Sequence, residues 1–146
     1  MKRLIYKING KVRVGIYMAG LCVFSSCNMR MKFNTPEEKL VAYNWTLHSY
    51  QGKAIDLQGF PKGAPVLRFY PDSTLILFTG CEHTKGNYTM NEDEFDIDID
   101  TQQISCQIPA TENLIRLLNL SNAYLFNKEK LSIRLNGTEV LSFFEK

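Results

Sequence analysis

Residues 74–106, TLILFTGCEHTKGNYTMNEDEFDIDIDTQQISC, decide the fold. The run 74–79, TLILFT, reads as a buried strand that stops at Gly80-Cys81. Lys85-Gly86-Asn87 reads as a turn before a short strand at 88–90, and residues 91–94 turn the chain again. Residues 95–100, FDIDID, alternate strictly, with Phe95, Ile97 and Ile99 on one face and Asp96, Asp98 and Asp100 on the other. That is the period of a half-buried strand. The chain then continues toward Cys106.

Working outward, residues 66–70 and 74–79 flank Pro71-Asp72-Ser73 and predict a β-hairpin. Upstream, residues 45–50, WTLHSY, alternate large and polar side chains as a strand, Gln51-Gly52-Lys53 is a turn, and residues 54–65 are a loop or broken edge rich in Gly and Pro. Pro36 with Glu37 and Glu38 suits the first turn of a small helix. Downstream, Thr111 is placed to cap a helix whose Leu114, Ile115, Leu117 and Leu118 share one face. Strands follow at 123–126, 131–135 and 140–144. Asn136-Gly137 is the strongest hairpin signal, because both turn positions want a left-handed backbone. The expected fold is α+β and β-rich: a mainly antiparallel, strongly twisted sheet of about eight strands wrapped against one principal helix.

The chain has 146 residues, 45% of them hydrophobic and 22% charged, which predicts one globular domain. The formal charge is +2, but Lys2, Arg3, Lys7, Lys11 and Arg13 precede every acid. Without the first 26 residues, 12 basic and 15 acidic side chains remain, a net charge of −3. A basic face for nucleic acid is therefore not expected in the working part. The basic start leads into residues 14–24, VGIYMAGLCVF, an apolar run shorter than the roughly 20 residues a membrane span needs. This is the layout of a secretory signal. Its exit, Phe24-Ser25-Ser26-Cys27, resembles a bacterial lipobox. In such signals the cysteine is lipidated and becomes the mature N-terminus. The chain thus divides into a signal peptide (1–26), a lipidated tether (27–39) and a folded domain (40–146).

Four short motifs occur in order. Trp45, Leu47, Tyr50 and Gly52 open the domain, Gly80-Cys81 is followed by Gly86-Asn87-Tyr88, Thr101 precedes Cys106 and then Glu112 at a helix start, and Leu131-Ser132-Ile133-Arg134-Leu135 belongs to the closing hairpin. Together they resemble the META domain, the HslJ-like family of bacterial lipoproteins. The resemblance implies a β-rich envelope lipoprotein, a loose link to stress or drug tolerance, and no established catalytic activity. Glu82 departs from the family pattern, which has Asn after Gly-Cys.

Cys22 lies in the expected leader and Cys27 would carry lipid, leaving Cys81 and Cys106 as an even pair in an oxidising compartment. They can bond or remain as two small buried apolar side chains. Cys81 and His83, two apart on one strand, also suit a thiol enzyme, and with Cys106 and His48 they offer zinc-type ligands. That spacing matches no recognised zinc pattern, so no metal, cofactor or catalytic residue is expected. The acidic stretch 92–100 can form a solvated face or dock a basic envelope protein. The expected partners are the membrane through the lipid anchor and either an envelope protein or a small apolar ligand. The protein is expected to be monomeric, non-enzymatic and held in the bacterial envelope, at the outer rather than the inner membrane.

Overall fold

Four tight reversals order the sheet in the computed structural model, which describes residues 32–91, 95–102, 104–106 and 108–146. The signal peptide, Cys27, the start of the tether and the acids Glu92, Asp93 and Glu94 lie outside the described residues. Gln51-Gly52 and Asn136-Gly137 both sit at positive φ, as two-residue hairpin loops with the twist of the flanking strands require. Ser73 and Lys128 take the same left-handed region at the other two reversals. Asp72 fastens its turn by accepting hydrogen bonds from the Thr74 N–H at 3.2 Å and hydroxyl at 2.6 Å.

These turns join β1 (Asn44–Tyr50), β2 (Lys53–Ala54), β3 (Val66–Phe69), β4 (Thr74–Phe78), β5 (His83–Met90), β6 (Phe95–Ile99), β7 (Ala123–Asn127), β8 (Lys130–Leu135) and β9 (Thr138–Glu145). The order is β6-β5-β4-β3-β1-β9-β8-β7, antiparallel throughout, with β2 paired to β1 alone. The last strand, β9, pairs with the first, β1, and this pairing joins the two halves of a sheet that is nearly closed, with β6 and β7 at its ends. Helix α1 (Pro36–Ala42) precedes β1, and helix α2 (Pro109–Leu120) connects β6 to β7. The expected α+β architecture is what the chain adopts.

The core is one cluster. Leu67, Phe69, Leu75, Leu77, Tyr88, Ile97 and Ile99 from one half of the sheet meet Leu131, Ile133, Leu141 and Phe143 from the other, and α2 adds Leu114, Ile115, Leu117 and Leu118. Fully burying a side chain of this size stabilises by about 1.5–3 kcal/mol, before the cost of ordering it. Trp45 is fully buried and its Nε1 donates to the Leu40 carbonyl at 2.8 Å, which pins α1 to the sheet. Thr35 caps α1 by accepting from the Glu38 N–H at 3.1 Å. From Trp45 a run of ring contacts passes through Phe126 and Tyr124 to Phe95, with centroids 5.1–5.6 Å apart. It links β1 to β7 and then to β6, so rings bridge the sheet ends that backbone does not.

Three local expectations change. Lys85-Gly86-Asn87 is not a turn but the middle of β5. Gly86 is there because the neighbouring strand comes close: a Cβ would sit 2.4 Å from the Asp98 carbonyl oxygen and 3.0 Å from the Ile99 side chain. Thr111 is not the helix cap. Pro109 starts α2, its fixed φ suiting the first helical position, and Thr111 is buried with its hydroxyl toward the Thr79 carbonyl at 3.4 Å. The alternation of β1 breaks at His48, the extra residue of a bulge between the Leu47–Phe143 and Ser49–Ser142 pairs. The bulge returns Tyr50 to the inner face, opposite buried Leu141. The stretch 54–65 keeps a loop character but contributes β2 and a 3-10 turn at Leu57–Gly59.

Gly86→Ala is expected to destabilise the protein by about 1–3 kcal/mol, the usual cost of overpacking a closed interior. A lowered urea midpoint with an unchanged m-value is the measurement.

Candidate functional site

The motif residues separate into two sets once folded. Trp45, Gly52, Gly86 and Tyr88 serve the scaffold. Tyr88 is buried, sets its ring edge-on to Phe69 at 5.0 Å and donates its hydroxyl to the Tyr70 carbonyl at 2.8 Å. Burial, with the carboxylates of Glu37 and Asp72, pushes the phenol pKa up and keeps it a neutral donor. Gly80, Cys81, Thr101, Cys106 and Glu112 instead gather at one corner, where β4 ends and α2 begins.

The corner is built from the backbone upward. After β4 the chain reverses at Thr79, whose N–H and hydroxyl donate to the Glu82 carbonyl at 2.8 and 3.0 Å. Thr79 Oγ1 also accepts from the Glu82 N–H at 3.1 Å. Gly80 takes φ +83 between them. A Cβ there would lie 2.7 Å from both the Gly63 oxygen and the Phe60 Cβ, so only glycine lets the 60–63 loop cross so closely. The Lys62 N–H uses that approach to reach the Gly80 carbonyl at 2.8 Å.

Cys81 and Cys106 are joined in a disulfide with their Cα atoms 6.3 Å apart. Glu82 reinforces the join. Its carboxylate accepts from the Ser105 hydroxyl at 2.7 Å and from the Cys106 N–H at 2.6 Å. The departure from the family's Asn thus supplies a turn-to-loop contact of its own. The Ser105 hydroxyl, then the Cys106 N–H, hold the Glu82 carboxyl below its usual 4.5 against a smaller upward push from burial. Residues 104–106 form no strand; the disulfide and Glu82 fasten them to the corner.

Beside this fastening, Thr101, Ile104, Cys106, Glu112, Ile115, Arg116 and Asn119 enclose a groove of about 300 Å³ between the loop and α2. Asn119 closes its far end by accepting from the Ile99 N–H at 2.9 Å, with its amide 3.4 Å from the Ile99 carbonyl. The groove's ionisable groups, Glu112 and Arg116, are exposed on successive turns of α2. Such a set can hold polar groups beside the apolar wall of Ile104 and Ile115.

Other readings are not assembled. The bond to Cys106 removes the thiol of Cys81, and His83 points outward with its ring on Phe78 at 5.0 Å. His48 lies against Phe144 at 4.8 Å. Among the described residues no three His, Cys, Asp or Glu side chains converge as metal ligands. Asp96 and Asp98 are exposed on the outer face of β6, and Asp100 is exposed just after it. Among the described residues no helix is long and apolar enough to cross a membrane. Glu82 stood out in the sequence only as a departure, and its partners, like the role of Asn119, escaped the reading because they lie 20 or more residues away.

A family model described as the META domain matches residues 38–146. Two solved structures are similar in fold, each with a TM-score of 0.58. One, determined by NMR, is 16% identical, covering 76% of this chain and 95% of that one. The other is the crystal structure of a DUF4847 family protein from Bacteroides vulgatus ATCC 8482, 14% identical, covering 75% of this chain and 95% of that one. No curated protein matches this chain.

Replacing Cys81 and Cys106 together by alanine is expected to cost about 3–4 kcal/mol, the loop-entropy value for a 25-residue separation. Chemical denaturation with and without reductant measures it. Glu82→Gln is expected to lose a pH-dependent part of stability. The folded carboxyl binds protons less readily than the unfolded one, so its contribution is full above pH 4.5 and disappears as pH falls through the folded value. Unfolding midpoints of the parent and the variant should therefore differ at pH 7 and converge as the pH falls below the folded carboxyl's lowered pKa.

Proposed function

The chain belongs to the META domain family, and from that premise we propose that it is an envelope lipoprotein whose folded domain binds rather than catalyses. Cys27 carries the acyl anchor, and the outer membrane is the favoured site. The observation that carries the envelope reading is the Cys81–Cys106 disulfide. Such bonds persist in oxidising compartments and are rare in the cytosol. A charged and apolar leader ending in Phe24-Ser25-Ser26-Cys27 points to the same compartment. A diacylated cysteine holds a protein firmly where one chain alone does so only marginally.

Binding is supported by the motif corner. It presents a rigid groove with an apolar wall and an exposed acid and base, and both of its sulfurs are already bonded. A rigid, partly apolar concavity with few polar groups is the usual form of a recognition site. A second reading uses the outer face of β6 and the residue after it, where Asp96, Asp98 and Asp100 stand exposed and suit a basic envelope protein.

Intact mass of the protein expressed with its own leader tests the anchor. The expected result is loss of residues 1–26, added acyl mass on Cys27, and alkylation of Cys81 and Cys106 only after reduction. A mature chain that retains residues 1–26 with Cys27 unmodified overturns it.

A further inference from the structure

Strand β4 is apolar on both faces. Leu75 and Leu77 are buried in the core, while Ile76 and Phe78 stand half-buried on the outer side of the sheet. A sheet face that meets only water alternates to polar residues, so this one has the composition of a covered face. The strand register extends it. Phe144, Thr46, Val66, Phe78 and His83 are direct partners in one row across β9, β1, β3, β4 and β5. Beside them Asn44, Arg68, Ile76 and Lys85 form a second row. Phe144 is 39% exposed and carries the ring of His48 at 4.8 Å.

Val66, Ile76 and Phe78 line a shallow depression of about 440 Å³ whose lining includes Arg68 and no Asp or Glu. Arg68 donates from Nη1 to Asn44 Oδ1 at 2.8 Å and lies over the Tyr70 ring at 5.6 Å. It has no carboxylate partner among the described residues. The acids stand outside this area. Asp72, Asp98 and Asp100 line the neighbouring depression, which Lys85 also borders. Beyond Phe144, Lys130 of β8 is already paired with Glu139 at 2.8 Å. Over β9, β1, β3 and β4 the two rows therefore present apolar groups, one unpaired cation and no anion.

The tether brings this face to a bilayer. Phe33 sets its ring on Tyr43 at 5.6 Å, one residue before β1. Six residues separate Phe33 from Cys27, a reach of at most about 20 Å. A domain held that close lies against the lipid surface. Of the sides next to this exit, α1 carries exposed Glu37 and Glu38, whereas the two rows carry rings, aliphatic side chains and Arg68.

We propose that the outer face of β1, β3 and β4, with the end of β9, rests on an anionic lipid surface. Phe144, Val66, Ile76 and Phe78 sit at the boundary of headgroups and acyl chains, and Arg68 meets a lipid phosphate. The inference rests on the acyl anchor at Cys27 and adds the side of the domain that meets the membrane. Amphipathic surfaces bind at this depth by apolar burial together with attraction of Lys and Arg to anionic lipid.

Photolabelling tests it. The protein expressed with its own leader is reconstituted into vesicles of phosphatidylethanolamine and phosphatidylglycerol containing a trace of diazirine-bearing phosphatidylcholine, and labels are located by peptide mass spectrometry. They are expected within residues 44–48, 66–78 and 144–146. Phe144→Ser combined with Ile76→Thr should lower labelling of these segments several-fold while the cooperative melting transition persists. Arg68→Glu should lower it several-fold in these vesicles and leave it unchanged when phosphatidylcholine replaces the phosphatidylglycerol; equal loss in both overturns the phosphate contact. Labels confined to residues 27–43, or spread equally over β6 and α2, overturn the surface. A face that stays unlabelled in vesicles but cross-links to another protein in whole cells overturns it too. Intact mass of the same sample separates the two readings. Labels on the two rows without acyl mass reject the anchor and keep the surface, and acyl mass with labels only in the tether does the reverse.

Discussion

A sheet that curls until its end strands nearly meet must still satisfy the backbone of those two edges. Here β1 and β9, the first and last long strands, pair at the centre, which leaves β6 and β7 as the ends. An unpaired edge strand is a template for unwanted association. The chain covers this gap with α2, the segment that connects the two ends. Asn119 on the last turn of α2 takes both backbone groups of Ile99, as a neighbouring strand would. Phe95 and Tyr124 pack across the gap at 5.1 Å. The Leu and Ile stripe of α2 fills the interior that the curl creates.

That arrangement places one demand on the chain between β6 and α2. It must leave the sheet, turn and deliver Pro109 at a fixed point, without the help of strand pairing. The disulfide and the Glu82 carboxylate meet this demand by tying residues 105–106 to the turn after β4. Gly80 completes the corner by letting the 60–63 loop cross at contact distance. The motif residues at this end are therefore mutually dependent. The covalent bond limits the unfolded chain, the carboxylate fixes the loop locally, and the glycine removes the atom that would strike the 60–63 loop.

One concavity runs along α2 from Glu112 to Asn119 on the side of the disulfide loop, and another lies between the first turns of α2 and the 3-10 turn. Rigid elements on either side hold their shapes: the bonded loop for the first, the Gly59–Ala110 contact for the second.

Local chemistry was legible in the order of residues. Alternation in FDIDID, left-handed turn pairs at Gln51-Gly52 and Asn136-Gly137, and the apolar stripe of α2 each express a period or a φ requirement confined to a few residues. They sufficed for the antiparallel sheet and its principal helix. Gly86 was misread because a glycine required by a close neighbouring strand looks, in sequence, like one required by a turn. Thr111 was misread because its buried partner, the Thr79 carbonyl, lies 32 residues away. The sequence by itself determined most of the strands, the four tight reversals and the even pair of cysteines, because those depend on local sterics and composition. Only the tertiary structure decided that β1 and β9 pair, that Glu82 and Asn119 are fasteners, and that two cavities flank α2. Those facts depend on distances between residues far apart in the chain, which no local period encodes.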